Sequence, residues 1–211
     1  MKERLVILMA ALCLAGNVMA AEGNWLVRGR AVHLDMRTKS DPTSGPLAGV
    51  LSADTIAIGD EWIPEVDISY FLGKNLALEL ILTYPQKHNV TINALGIGGI
   101  GSFKHLPPTL LLQYHFLPDG QFRPYVGVGI NYTRFSSVSL NVAGVGRFDL
   151  ENSSVGGALQ AGVDVKLRGA WYLNFDVKKI YIRTDLLLGG AKVSTLKPDP
   201  VAIDVGLGYR F

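Results

Sequence analysis

The chain has 211 residues, 48% hydrophobic and 18% charged, with a net charge of +2 and a single cysteine. That length fits one domain, and so small a charge without a basic cluster argues against a nucleic-acid partner. No run of about 18 apolar residues is available for a membrane helix, so the apolar residues either fill a core or face lipid from strands.

The N-terminus reads as an export address. Lys2 and Arg4 precede an apolar run from Leu5 to Ala15, and Val18–Ala20 offers a small-residue cleavage site near Ala20. Residues 1–20 are therefore expected to be a secretory signal peptide. Cys13 lies inside the apolar run and leaves with it, so the exported chain has neither disulfides nor thiolate chemistry. Residues 21–211 remain as one domain.

That domain alternates. Over Trp25–Met36, Trp25, Val27, Gly29 and Ala31 oppose Leu26, Arg28, Arg30, Val32 and Leu34. Residues 38–61 are rich in Ser, Pro, Gly and Asp and read as a long loop. In Ile63–Leu72, Val66, Ile68 and Tyr70 oppose Glu65, Asp67 and Ser69; after a tight turn at Gly73–Asn75, Leu76, Leu78, Leu80, Leu82 and Tyr84 oppose Ala77, Glu79, Ile81 and Thr83. A second loop, 86–104, is glycine-rich at Gly96–Gly101 and reads as mobile, with Leu95, Ile97 and Ile100 available to gather ligands. His105–Thr133 is a long hairpin: Leu110, Leu112, Tyr114 and Phe116 on one face of its first arm, Val126, Val128, Ile130 and Tyr132 on one face of its second, and Pro118, Asp119 and Gly120 at the turn. A loop near 136–153 leads to Val155–Leu167, a turn at Arg168–Ala170 and a strand from Trp171. Beyond Lys179 the phase slips, with Ile180 and Ile182 replacing the odd positions, through a β-bulge or exit from a membrane. A last loop, 184–200, precedes Val201–Phe211.

Period two over such lengths gives eight strands joined alternately by long loops and short turns. A secreted sandwich or soluble barrel also alternates. The strands, however, match the 9–11 tilted residues that cross a bilayer, and long loops at one end with tight turns at the other mark an outer-membrane barrel. Trp25, Tyr70, Tyr84, Phe116, Tyr132, Trp171, Tyr209 and Phe211 fall near strand ends, where interfacial girdles belong. The expected fold is all-β, an eight-stranded antiparallel transmembrane β-barrel with long extracellular loops and short periplasmic turns.

His-Leu-Pro-Pro-Thr-Leu at 105–110 and Phe-Arg-Pro-Tyr-Val-Gly-Val-Gly-Ile-Asn-Tyr-Thr at 122–133 resemble the signature of the OmpW family, small outer-membrane barrels of Gram-negative bacteria. Pro85–His88, Gly162–Asp164 and the terminal Gly208-Tyr-Arg-Phe extend the resemblance across the mature chain. It implies uptake of small hydrophobic molecules, with a lateral exit, and occasional use as a receptor. Asp204, Gly206, Tyr209 and Phe211 resemble the C-terminal signal read by the barrel-assembly machinery.

Eight strands leave room for side chains or one small ligand, not a wide pore. Arg28, Arg30, Asp67, Glu79, Gln113, His115, Asp164, Lys166, Asp176, Lys178 and Arg210 are expected in the periplasmic half of the lumen, a salt-bridged floor of nearly balanced charge. Val32, Leu34, Met36, Ile63, Ile81, Pro107, Leu111, Ala158 and Ala202 make the upper half an apolar vestibule. A molecule drawn into that vestibule cannot cross the floor without desolvating ions, so it leaves sideways. Pro107 and Pro108, which cannot donate to a ladder, and Pro85 beside them mark the exit. The expected partners are outer-membrane lipid and lipopolysaccharide, the assembly machinery and small hydrophobic ligands; no cofactor or metal is implied.

Two other classes compete. A filled, non-conducting barrel would act through its loops as a structural or receptor protein. A lipid-modifying enzyme would draw on His33, His88, His105 or His115 with Ser69, Ser102 or Ser136, but no Gly-x-Ser-x-Gly elbow or metal-ligand spacing of histidines is present.

Overall fold

The computed structural model describes residues 23–211; the signal-peptide expectation for residues 1–20 lies outside them. Fifteen strands form one antiparallel sheet: β1 Trp25–Asp35, β2 Lys39–Ser40, β3 Ile56–Ile58, β4 Glu61–Phe71, β5 Leu76–Leu82, β6 Gln86–Ile92, β7 Gly98–Leu106, β8 Thr109–His115, β9 Phe122–Val142, β10 Gly146–Leu150, β11 Ser153–Lys166, β12 Trp171–Ile180, β13 Thr184–Leu188, β14 Ala191–Lys197 and β15 Val201–Arg210. Eight of them close a ring in the order β1, β4, β5, β8, β9, β11, β12, β15, and β15 returns to β1. Closure leaves no strand edge facing outward, which hydrocarbon demands because it offers backbone groups no partner.

The faces sort as the alternation predicts. Leu76, Leu78, Leu80 and Leu82 are exposed, while Ala77, Glu79 and Ile81 between them are buried. Val126, Val128 and Ile130 on β9 and Ile203, Val205 and Leu207 on β15 continue the exposed apolar band. In water such a patch would be a liability; against lipid it is the required surface. Aromatic residues bound the band on both sides. Trp25 packs on Tyr70 at 4.8 Å and Trp171 on Tyr209 at 5.0 Å near the tight turns. Trp62, Tyr84, Tyr132 and Tyr181 are exposed at the other end.

Two expectations are corrected. The segments read as long loops carry strands of their own: β6 and β7 pair with each other, β9 runs on to Val142, and β10, β13, β14 and β2 extend the sheet beyond the band. These strands form an extracellular cap. Inward polar residues (Gln86, His88) and register shifts after Val90 and Ser102 blur the alternation there. The phase also does not slip at Lys179. Tyr172, Asn174, Asp176, Lys178 and Ile180 all point inward, and β12 pairs with β11 and β15 in unshifted register. The lumen changes from polar to apolar at that level, and the side chains follow it.

Nitroxides replacing Leu78, Leu112 and Val205 in reconstituted bilayers are expected to be accessible to lipid-dissolved oxygen, and one at Leu111 protected. Equal protection at all four would mean that the apolar faces meet protein rather than lipid.

Candidate functional site

The periplasmic half of the lumen is an ion network. Arg28 binds Asp164 through two nitrogens at 2.6 and 3.1 Å and donates to Ser69 Oγ at 2.7 Å and Glu79 Oε1 at 2.9 Å. Arg30 pairs with Asp67 at 2.9 Å and Glu79 at 3.3 Å, and lies 3.6–3.7 Å from Glu65, Asp176 and Asp204. Lys178 donates to Glu65 at 2.7 Å and to Asp204, and pairs with Asp176 at 3.2 Å. Neutral groups complete the set. Tyr125 donates to Asp176 at 2.7 Å, Asn174 to Asp164 at 2.8 Å, and Gln160 to Glu79 at 2.7 Å. Gln113 in turn donates to Gln160 at 2.9 Å, and His115 Nε2 lies 3.3 Å from Gln113 Oε1. Gly162 gives the Tyr125 ring its seat, since a Cβ there would lie 2.5 Å from that ring.

The composition of this floor differs from the expected balance. Lys166 and Arg210 end their strands only half-buried at the periplasmic rim, where long cations reach water; the Arg210 guanidinium covers the Phe71 ring at 3.7 Å. Glu65 and Asp204 are instead fully enclosed, so six carboxylates surround Arg28, Arg30 and Lys178. Asp204 thus has a place in the lumen as well as in the terminal motif, with Gly206 beside the Arg30 stem, Tyr209 on Trp171, and Phe211 exposed. Alternation alone could have found Glu65, which shares the inward phase of Asp67.

Above the floor every expected vestibule residue is buried. Val32, Leu34, Met36, Ile63, Ile81, Leu111, Ala158 and Ala202 join one apolar column with Phe103, Phe135, Ile180 and Ile182 that continues into the cap. Ile100 belongs to it, Ile97 packs against it, and Leu95 is exposed. The column is packed. Its cavity has a volume of ≈20 Å³, space for about one water, lined by Leu34, Glu65, Gln86, His105, Pro107 and Thr109 among others.

That cavity lies behind a break in the wall. The β5–β8 ladder ends at Ile81 opposite Thr109, and the β6–β7 ladder begins at Gln86 opposite His105. Between them stand residues 82–85 and 106–108, with Pro85, Pro107 and Pro108, which do not pair with each other although Leu82 pairs with Val66 and Leu106 with Arg134 on their other sides. On the far side the Asn131 side chain bridges the gap, donating to the carbonyls of Pro107 at 3.1 Å and Pro108 at 3.3 Å and to Thr109 Oγ1 at 2.8 Å. Thr133 Oγ1 donates to the Asn131 side-chain oxygen Oδ1 at 2.6 Å. Outside, an apolar groove of ≈350 Å³ runs over Leu80, Pro108, Thr109, Leu110, Ile130 and Tyr132. Pro107 and Thr109 line the cavity, Pro108 and Thr109 the groove. The partition is one chain thick.

The candidate bases and nucleophiles are scattered. His33 faces outward against Trp62 at 4.9 Å, His115 lies in the floor, and His88 and His105 stack at 4.6 Å inside the cap. Ser69 accepts from Arg28, while Ser102 and Ser136 lie on the outer side of β7 and β9. Among the described residues none of these histidines hydrogen-bonds a serine. Burial holds the His105 imidazole down to about 3, with His88 adding to it. Burial lowers His88 too, against the Gly59 carbonyl that accepts its Nδ1–H and the nearby Glu61 and Asp60.

Comparison with known proteins gives one consistent result. A family model described as the OmpW family matches residues 21–211. An outer-membrane protein (y4mB) of Sinorhizobium fredii is 40% identical over 92% of this chain and 83% of its own length. Outer membrane protein W of Vibrio cholerae is 30% identical over 96% of this chain and 95% of its own. The crystal structure of the outer membrane protein OprG from Pseudomonas aeruginosa has the same fold, with a TM-score of 0.74 at 24% identity over 92% of this chain and 99% of that one.

Arg28→Leu strands Asp164 and Glu79 without their cation, and is expected to cost about 3–5 kcal/mol in bilayer unfolding titrations. A cost under about 1 kcal/mol would place the pair in a solvated setting instead. Both cap histidines are neutral when folded, whereas the unfolded chain takes up protons near pH 6.5. Cap stability is therefore full above that pH and declines as pH falls toward 3. Amide protection at Phe103, corrected for intrinsic exchange, should fall over that window, and less in H88Q/H105Q.

Proposed function

Because the chain belongs to the OmpW family and resides in the bacterial outer membrane, we propose that it is a passive conduit for small hydrophobic molecules. They enter the apolar column from outside and leave sideways into the hydrocarbon of the membrane. The observation that carries this reading is the missing ladder between 82–85 and 106–108, backed by the inner cavity and with the apolar groove beside it.

The energetics favour that route. An apolar solute gains about 25 cal/mol for each Å² it buries among Leu34, Ile63, Ile81 and Ile180. Passage through the floor would strip water or partners from ions already enclosed, a far larger cost. Sideways, only the Pro107–Thr109 segment stands between column and lipid. Prolines cannot donate to a ladder, so the segment is held through its carbonyls, by Asn131 and by the Tyr132 amide, which donates to Pro108 O at 3.1 Å. Between the ladder pairs Leu106–Arg134 and Thr109–Asn131, parting it from β9 breaks that one backbone bond and the Asn131 contacts.

One observation favours a second reading. The column's side chains pack into one apolar cluster and the cavity behind the wall is only ≈20 Å³, as a non-conducting barrel that binds partners through its cap would require. The conduit reading asks the packed side chains and cap to move aside for each solute.

Thr109 and Asn131 are register partners, so T109C/N131C can form a disulfide across the seam. Uptake of the apolar dye N-phenyl-1-naphthylamine into proteoliposomes is expected to drop several-fold in the oxidised variant and recover on reduction. P107V/P108V should slow it as well. Uptake indifferent to both changes removes the side exit; wild-type uptake no faster than protein-free vesicles establishes the closed-barrel reading.

A further inference from the structure

Just beyond the aromatic belt, three neighbouring strands each turn a basic residue outward. They are Lys87 on β6, Lys104 on β7 and Arg134 on β9, all exposed. Lys87 stands directly opposite Lys104 in the ladder. Arg134 opposes Leu106, two residues along from Lys104, which makes it the diagonal neighbour on the same face. Opposed like charges destabilise a ladder unless an anion sits between them.

No protein anion does. Several cations near the surface do have carboxylate partners, among them Arg37 with Asp35 at 2.6 Å, Lys74 with Asp119 at 3.1 Å and Lys192 with Asp185 at 2.9 Å; what sets this row apart is that two of its lysines face each other across one ladder. Among the described residues, Lys87, Lys104 and Arg134 form no ion pair within the 4.0 Å that defines one. The Lys87–Lys104 pair thus has no counter-charge among the described residues.

The height of the row points to a source for one. Tyr84 and Tyr132, each 50% exposed, lie one step toward the membrane, and Leu82, Leu80, Leu110 and Ile130 follow below them. Tyrosines at this position mark the headgroup level, so the three cations stand where lipid phosphates lie. The apolar groove over Leu80, Pro108, Leu110 and Ile130 continues beneath them and can seat an acyl chain. We propose that Lys87, Lys104 and Arg134 bind the phosphate of an outer-leaflet phosphorylated glycolipid, giving the expected lipopolysaccharide partner a defined place on the barrel. Arg134 supplies a planar fork and the two lysines flank it as point charges, a set suited to a phosphomonoester.

The test uses the intact barrel in detergent and native mass spectrometry with three probes: diphosphorylated lipid A, the same lipid after phosphatase treatment, and excess inorganic phosphate as competitor. Wild type is expected to retain one lipid A with about tenfold preference over the dephosphorylated lipid. K87Q/K104Q/R134Q should lose that preference, while K74Q at the opposite end keeps it. K104Q alone should weaken it, which covers the case of a triple variant that does not fold. Equal retention by wild type and both row variants, or no preference for phosphorylated lipid, overturns the proposal. Displacement by inorganic phosphate also overturns it, because the row would then be a free-anion site.

Discussion

In hydrocarbon each backbone N–H and C=O must find its partner within the protein, and this demand shapes the whole wall. β15 closes on β1 and β9 on β11, so the ring has no edge. The demand also makes the break at Pro107 and Pro108 unusual. Two residues that cannot donate stand at the membrane's outer boundary, and their carbonyls are engaged by the Asn131 side-chain amide beside a single backbone bond from Tyr132. A side chain can release its partner by a change of rotamer; a ladder cannot. The place where the wall relies on a side chain is also the place where an inner cavity and an outer groove come nearest.

The lumen repeats the same logic for charge. Arg28, Arg30 and Lys178 tolerate enclosure because carboxylates surround them; Tyr125 and Gln160 engage oxygens the cations leave over, and Asn174 shares Asp164 Oδ1 with Arg28. Such a network resists a solute by offering it nothing better than the partners it already has. One layer higher the inward residues become Val32, Ile81, Leu111 and Ile180, and the environment becomes that of a protein core. The boundary between the two zones runs through the cavity, which touches both Glu65 and Ile63.

Much of this was legible in the sequence because burial on one face imposes a strict period of two. The eight spanning strands, their inward phase and the apolar upper set can be read from residues such as Leu76–Leu82. The cap could not be read in the same way. Its inward face includes Gln86 and His88, and glycines at 98, 99 and 101 interrupt β7, so the pattern looks like loop chemistry. At Lys179 an unbroken period looked broken because the interior, not the chain, changed character. Lys166 and Arg210 share the inward phase, but phase says nothing of how far a long side chain reaches toward water. Asn131 looked like one more small polar residue among glycines; its role needs the two carbonyls that tertiary structure brings to it.

β9 is one strand from Phe122 to Val142, shared by wall and cap. Surface loops of a barrel are ordinarily where evolution inserts and deletes freely, but one residue added between Thr133 and Phe135 would turn Phe135 out of the apolar column and Ser136 into it, unless taken up by a bulge such as the one at Ser137 that lets both Phe135 and Leu140 face inward. The hairpin tips at 94–97, 143–145 and 189–190 lie outside these ladders and can change length without shifting the column. The outermost face of the cap can change its lettering at those tips, while the masonry behind them stays in register with the membrane.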